Sequence, residues 1–181
     1  MSEDKMIRHC SPTLRGIKAG SIFTAAYKSK EDFEQDVEKA NTIFKETQIR
    51  FRALRYCKGK GIVYVYRPNL LMKDISNPES MMILSDNGYE CKSYTDCINR
   101  LIERLCNSSE FPHEIGLFLG YPPEDVKGFI ENDAKKCKYV DYWKVYGDVD
   151  KAKILFDAFR RSTRFCYSQW KAGASLITLV N

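Results

Sequence analysis

The sequence predicts an α/β protein of the α+β type, with a small mixed sheet that contains one antiparallel hairpin and is packed by helices. Two observations indicate this class. Segments with apolar residues at helical spacing alternate with short β-branched and aromatic runs. Two such runs, at residues 48–56 and 61–67, are joined by a short glycine-containing loop, which is typical of a hairpin. A length of 181 residues with 44% hydrophobic residues predicts a single domain over residues 1–181.

The first part of the chain is predicted to hold most of the sheet. Ser29 is followed three residues later by Asp32, a pattern that caps the start of a helix. Pro68 has no backbone N–H and ends the preceding strand. The predicted elements are a single helical turn opened by Ser11 and Pro12, a strand at 21–27, a helix that begins after Ser29, and the strands 48–56 and 61–67.

The second part of the chain is predicted to be mainly helical. Residues 139–146 are rich in aromatic residues and read as a strand, whereas Gly173 suits the end of a long helix. The predicted elements are helices at 69–75, 79–84 and 95–106, two short helices within 111–130, a strand at 139–146, a helix from Asp148 to Gly173 and a closing strand at 175–180.

Length and composition exclude several classes of protein. No apolar run approaches the roughly 20 residues that span a bilayer. The polar start of the chain does not resemble a signal peptide, so a cytoplasmic location and no membrane partner are expected. A net charge of +5 permits an anionic ligand without requiring nucleic acid.

Basic residues cluster on the predicted hairpin, and they raise the question of nucleic-acid binding. Exposed tyrosines beside them, Tyr64 and Tyr66, would let single-stranded nucleic acid stack on the sheet. The alternative is a solvated edge whose cations prevent sheet-to-sheet association. The sequence favours this alternative because it carries no ribonucleoprotein signature. The basic residues are Arg50, Arg52, Arg55, Lys58 and Lys60.

The seven cysteines are expected to be reduced thiols. Their number is odd and no pair has Cys-x-x-Cys spacing. The chain has two histidines, and its cysteines lack the spacing of metal ligands, so the sequence gives little support to a metal or haem site. No metal ligand is predicted and no cofactor is indicated.

The best candidate for a functional site is the stretch 111–130, which places two helix starts and two glycine breaks around His113. Pro112 suits the first turn of a short, apolar helix, with Ser108 or Ser109 upstream as caps. Gly120 ends that helix, and a second one begins at Pro122 and Pro123. The candidate ligand-binding residues are His113, Glu114, Lys18, Arg67 and Tyr121.

Several motifs resemble those of a bacterial family catalogued as domain of unknown function 3793. The resemblance rests above all on residues 111–130, and also on residues 10–14, 16–18, 63–67 and 143–147. It covers nearly the whole chain. It implies a small cytoplasmic protein from anaerobic, mainly clostridial, bacteria, and it implies no particular activity.

Three functions remain open from the residues. In the first, His113 and the backbone N–H groups of a helix start hold a small anionic metabolite, with Lys18 or Arg67 nearby. In the second, a hydrolase- or transferase-type enzyme uses His113 as a general base and Cys10 as a nucleophile. In the third, the stretch belongs to a protein-interaction module without a catalytic site. Convergence of Lys18, Arg67 and His113 on one cavity would favour the first.

Overall fold

The computed structural model describes residues 1–107 and 111–180. The predicted α/β class is confirmed. The helices are α1 (Glu3–Leu14), α2 (Lys30–Ile43), α3 (Pro68–Ile75), α4 (Pro78–Asp86), α5 (Tyr94–Asn107), α6 (Ile115–Phe118), α7 (Pro123–Glu131) and α8 (Val149–Lys171). The strands are β1 (Gly20–Ala26), β2 (Arg50–Cys57), β3 (Lys60–Tyr66), β4 (Tyr139–Val140) and β5 (Lys144–Val145).

The chain forms two compact units. The first unit comprises residues 1–70 and 159–181, and the second comprises residues 71–158. The expectation that residues 1–181 make a single domain stays a prediction. None of the described helices has the length and apolar character needed to cross a bilayer. The expected caps at Ser108 and Ser109 lie outside the described residues.

The sheet of the first unit has the strand order β1-β3-β2. Every strand pairing among the described residues is antiparallel, where a mixed sheet was expected. The predicted hairpin is confirmed as β2 and β3, and its turn residues Lys58 and Gly59 have φ angles of 47° and 74°. Both angles are positive, as the tight turns that match strand twist require. Tyr64 and Tyr66 are buried, so they do not form the exposed stacking surface considered for nucleic acid.

The core of the first unit lies between one face of this sheet and the helices α1 and α2. Ile7 and Leu14 of α1 and Phe33 of α2 pack against Val63 and Val65 of β3. The predicted cap of α2 is confirmed by the bond from the Asp32 N–H to Ser29 Oγ, at 3.1 Å.

Two predictions for the first unit are wrong. A full helix, α1, replaces the single turn expected at Ser11. Pro12 lies inside this helix and removes one of its backbone hydrogen bonds. Residues 175–180 contain a 3-10 turn, Ile177–Leu179, in place of a strand. Leu176 and Leu179 are both buried there, and their spacing of three residues fits a helical turn better than the alternation of a strand.

The second unit is mainly helical and contains the hairpin β4–β5. The predicted strand at 139–146 is wrong because residues between β4 and β5 form a turn, in which the Asp141 N–H donates to the Trp143 carbonyl at 3.1 Å. This turn lets Trp143 point inward and become buried. The long final helix is confirmed as α8, whose residues 149–158 belong to the second unit and whose remainder belongs to the first. It begins after Asp148 and is followed by Gly173 at a φ of 94°.

Candidate functional site

The five predicted ligand-binding residues belong to different parts of the chain. Lys18 and Arg67 lie in the first unit. His113, Glu114 and Tyr121 lie in the second.

Arg67 caps the C-terminal end of α1. Its Nε donates to the Thr13 carbonyl at 2.7 Å, and its Nη2 donates to the carbonyl of Leu14. Its Nη1 lies 3.3 Å from Gln48 Oε1. The last carbonyls of a helix carry the negative end of its dipole, and the Thr13 carbonyl also accepts from the Gly16 N–H at 3.1 Å. Burial lowers the pKa of the guanidinium. The structural role of a helix cap accounts for Arg67 without a ligand.

Lys18 and Cys10 influence each other in the first unit. Burial raises the pKa of the Cys10 thiol to about 12, and burial lowers the pKa of Lys18 to about 8. The Lys18 ammonium lies 5.7 Å from the centroid of the Phe159 ring. Because nucleophilic attack needs a thiolate, a buried thiol with a raised pKa is a poor nucleophile. The pairing of Cys10 with His113 stays a prediction, and the surroundings of Cys10 disfavour it.

His113 lies on the surface of the second unit, in the turn before α6. The expected helix start at Pro112 is wrong, since α6 begins only at Ile115 and has four residues. The His113 carbonyl accepts from the Gly116 N–H at 3.2 Å. Its ring packs on that of Phe129, with 4.9 Å between centroids. A helix this short offers little dipole to an anion, and the contact that places the His113 ring is the one with Phe129.

Glu114 is buried and holds an ionic hydrogen-bond network. Its Oε1 accepts from the Tyr89 hydroxyl at 2.8 Å and from Arg104 Nε at 2.6 Å. Arg104 Nη1 also donates to the Asn87 carbonyl at 3.2 Å. Burial, followed by the charge of Glu114, raises the pKa of Tyr89. The network ties α5 and the loop before it to the turn that precedes α6, and this accounts for Glu114 structurally.

Asp125 forms a second buried network that sequence reasoning missed. The sequence assigned this residue only to the helix dipole at the start of α7. In the structure its Oδ2 accepts from Trp143 Nε1 at 2.7 Å, and its Oδ1 accepts from the N–H groups of Tyr146 and Gly147, each at 2.7 Å. Tyr121 stacks on Trp143 with 4.7 Å between ring centroids, and burial raises the pKa of Tyr121.

A small cavity lies at the corner between α6 and α7. Its volume is about 200 Å³, and Tyr121 lines it together with Lys73 and Asp74 of α3. Burial raises the pKa of Asp74. Ligand pockets for drug-sized molecules are usually about 300–1,000 Å³, so this cavity suits only a very small polar molecule.

A larger groove lies between α4 and α7, with a volume of about 480 Å³. We call it the α4–α7 groove. Its apolar lining includes Met82, Ile83 and Ile130. Ile130 was predicted to face inward, yet its residue is 36% exposed. The charged residues that line the groove are Glu79, Asp86, Glu124, Glu131 and Lys127.

The α4–α7 groove contains none of the five predicted site residues. Four carboxylates against one ammonium disfavour an anionic ligand at this place. One signal in the sequence could have indicated the α4–α7 groove. Asp86 and Glu131 are the last residues of their helices, where the dipole disfavours a negative charge.

The cysteines differ from expectation in one respect. Cys91 and Cys97 form a disulfide, so the expectation that all seven thiols are reduced is wrong. Among the residues that the structure describes, no group of three or more histidine, cysteine or carboxylate side chains could hold a metal ion.

Comparison with known proteins identifies a family and no function. No curated protein and no solved structure matches the chain. A family model matches residues 6–180, which is nearly the whole chain. The chain therefore belongs to the family described as protein of unknown function (DUF3793).

Proposed function

We propose that this protein is an interaction module, and that its α4–α7 groove receives a basic, amphipathic helical segment of a partner protein. The observation that carries the proposal is the composition of the groove: apolar side chains in its lining and four carboxylates against one lysine. Grooves of this kind bind the apolar face of a helix, and the charges around them select the partner.

The charge of the second unit supports a basic partner. Residues 71–158 contain 11 lysine and arginine residues against 16 aspartate and glutamate residues, a net charge of −5. The first unit contains 18 basic and 8 acidic residues, a net charge of +10. The mild net charge of the whole chain therefore conceals an acidic unit, which would attract a cationic segment at low salt.

The positions of two carboxylates also support binding. Asp86 ends α4 and Glu131 ends α7, where a negative charge costs about 0.3–1 kcal/mol through the helix dipole. Glu131 pairs with Lys127 at 3.8 Å, but both side chains are exposed and such a pair contributes little. Acidic residues at these two helix ends are explained by contact with a cation better than by stability.

Exposed apolar side chains supply the second half of the recognition. Met82 is 62% exposed although it lines the groove. Methionine is flexible and polarisable, and it is common on surfaces that bind varied apolar side chains. A helix that buried Met82 and Ile130 would gain about 25 cal/mol for each Å² of apolar surface removed from water.

A fluorescence-anisotropy titration of the full chain tests the proposal. The probe is a labelled 18-residue peptide of leucine and lysine that places its leucines on one helical face. We expect saturable binding that weakens as salt rises, and little binding of a scrambled peptide with the same composition.

Two methionine variants make this test specific for the groove. Met82→Ser should raise the Kd about five- to tenfold, which corresponds to about 1–1.4 kcal/mol. Met81 is the matched control, because it is 58% exposed on the same helix but lines a different groove. Equal effects of Met82→Ser and Met81→Ser would contradict the proposal.

A small polar ligand in the 200 Å³ corner cavity is the second candidate, because Lys73 and Asp74 both line that cavity. An anion would contact Lys73 there. Calorimetric titration with inorganic phosphate and with acetate tests this candidate. A heat of binding that is unchanged in the Lys73→Ala variant would count against the corner cavity as the site. A cytoplasmic location is part of the proposal, and it is supported by the exposed free thiol of Cys57.

A further inference from the structure

The disulfide between Cys91 and Cys97 lies at the start of α5 and is independent of the proposed function. The two Cα atoms are 5.2 Å apart, and six positions separate the residues in sequence. Cys97 is buried in the first turns of the helix, whereas Cys91 is partly exposed in the loop before it. The two sulfur atoms therefore differ in their access to an attacking thiol.

The remaining cysteines indicate the kind of environment in which this disulfide exists. Cys57 lies outside it and is an exposed free thiol. Exposed thiols persist where glutathione or thioredoxin keeps proteins reduced. A disulfide in such a compartment is usually catalytic or redox-sensing, and seldom a permanent brace.

The local structure favours release of the Cys97 sulfur as a thiolate. Cys97 is the fourth residue of α5, near the positive end of the helix dipole. Ser93 caps this helix, since its Oγ accepts from the Asp96 N–H at 3.2 Å. The N-terminal end of a helix favours a nearby negative charge, so the departing Cys97 sulfur lies where the helix dipole stabilises it.

A groove gives an attacking group access to the disulfide. It has a volume of about 380 Å³, and both cysteines line it. Exposed Met72 and Met81 lie along the same groove, which offers an apolar surface to an approaching protein. Glu90 and Lys92, which flank Cys91, also line it, so one charge of each sign lies beside the exposed cysteine.

We propose that Cys91 and Cys97 form a thiol–disulfide exchange site whose reaction partner is a dithiol protein of the thioredoxin type. The partner's thiolate attacks Cys91 Sγ, forms a mixed disulfide and displaces Cys97 as a thiolate, which takes up a proton. The second thiol of the partner loses its proton and attacks the partner's own sulfur in the mixed disulfide, which releases Cys91. The chain gains two electrons and two protons, and the partner becomes a disulfide.

Redox equilibration followed by alkylation tests the exchange. The folded full chain is incubated with reduced and oxidised dithiothreitol in varied ratio, quenched with acid and alkylated before peptide mass spectrometry. We expect the 91–97 pair to pass reversibly between a disulfide and two alkylated thiols, while Cys57 is alkylated at every ratio. A pair that stays oxidised at all ratios, or that does not form the disulfide again after reduction, would overturn the proposal.

A trapping experiment tests which sulfur is attacked. A thioredoxin that lacks its second cysteine is mixed with the oxidised full chain, and the mixed disulfide is located by peptide mapping. We expect it at Cys91. Trapping at Cys97, or no trapping at either cysteine, would refute the order of events. The use of the unmutated chain ensures that a failure of Cys91→Ser or Cys97→Ser to fold does not affect the result.

Discussion

Substitution of Glu114 should reveal how much the buried network stabilises the protein. Glu114→Gln keeps the shape of the side chain but removes the negative charge beside Arg104. Breaking a buried ion pair costs about 3–5 kcal/mol. The Arg104 side chain is 26% exposed, so water compensates part of its lost partner. We therefore expect Glu114→Gln to lower the free energy of unfolding by about 2 kcal/mol.

Glu114→Ala should have a larger effect, because it also removes the acceptor of the buried Tyr89 hydroxyl. An unsatisfied buried hydroxyl costs a further 1–3 kcal/mol, approximately, so a total of about 4 kcal/mol is expected. Urea unfolding followed by circular dichroism measures both values. With an m-value of about 2 kcal/mol/M, Glu114→Gln would lower the midpoint by about 1 M.

Glu103→Gln is the matched control. Glu103 pairs with Arg100 at 3.1 Å, but both side chains are exposed. Loss of this surface pair should change the free energy of unfolding by less than about 0.5 kcal/mol. If Glu114→Gln were no more destabilising than Glu103→Gln, the structural role assigned to Glu114 would be refuted.

Three further predictions concern single residues, and urea unfolding measures all of them. Asp125→Asn should destabilise the protein by about 2–4 kcal/mol. One amide oxygen cannot replace two carboxylate oxygens that together accept three hydrogen bonds. A neutral effect of this substitution would contradict the network around Asp125. Gly128→Ala should destabilise the protein by about 1–3 kcal/mol, because the added Cβ would lie 2.5 Å from Tyr146 Cβ. This clash should outweigh the higher helix propensity of alanine. A stabilising effect would contradict the close approach of Tyr146 to Gly128. Because the pKa of Lys18 is lowered to about 8, the unfolded chain binds more protons above that pH. The free energy of unfolding should therefore gain a contribution from Lys18 between pH 8 and 9, and the Lys18→Met variant should lack this gain. An equal pH dependence of the two proteins would contradict the lowered pKa of Lys18.

Features that depend on neighbouring residues could be predicted from the sequence. Ser29 caps α2 because a hydroxyl three residues before an N–H can accept its bond. The turn at Lys58 and Gly59 follows from short-range backbone preferences. Both features depend on chain positions at most a few residues apart, which the sequence shows directly.

Features that depend on distant residues could not be predicted. Glu114 and Asp125 looked like ordinary helix-start carboxylates, and nothing local indicated that Arg104 and Trp143 would reach them. The aromatic run after residue 138 looked like one strand, because periodicity alone does not reveal an inward-turning tryptophan. The same limit applies to His113, since whether an imidazole is exposed depends on packing.

Binding of a basic helix in the α4–α7 groove can be observed directly by methyl NMR. The full chain contains five methionines, which can be labelled at their methyl groups. The unlabelled leucine–lysine peptide is then added in steps. The Met82 methyl signal should shift most and saturate with the Kd from anisotropy, while Met6, buried in the first unit, stays unchanged. The largest shift at Met81 or Met6, with Met82 unmoved, would contradict the proposed function.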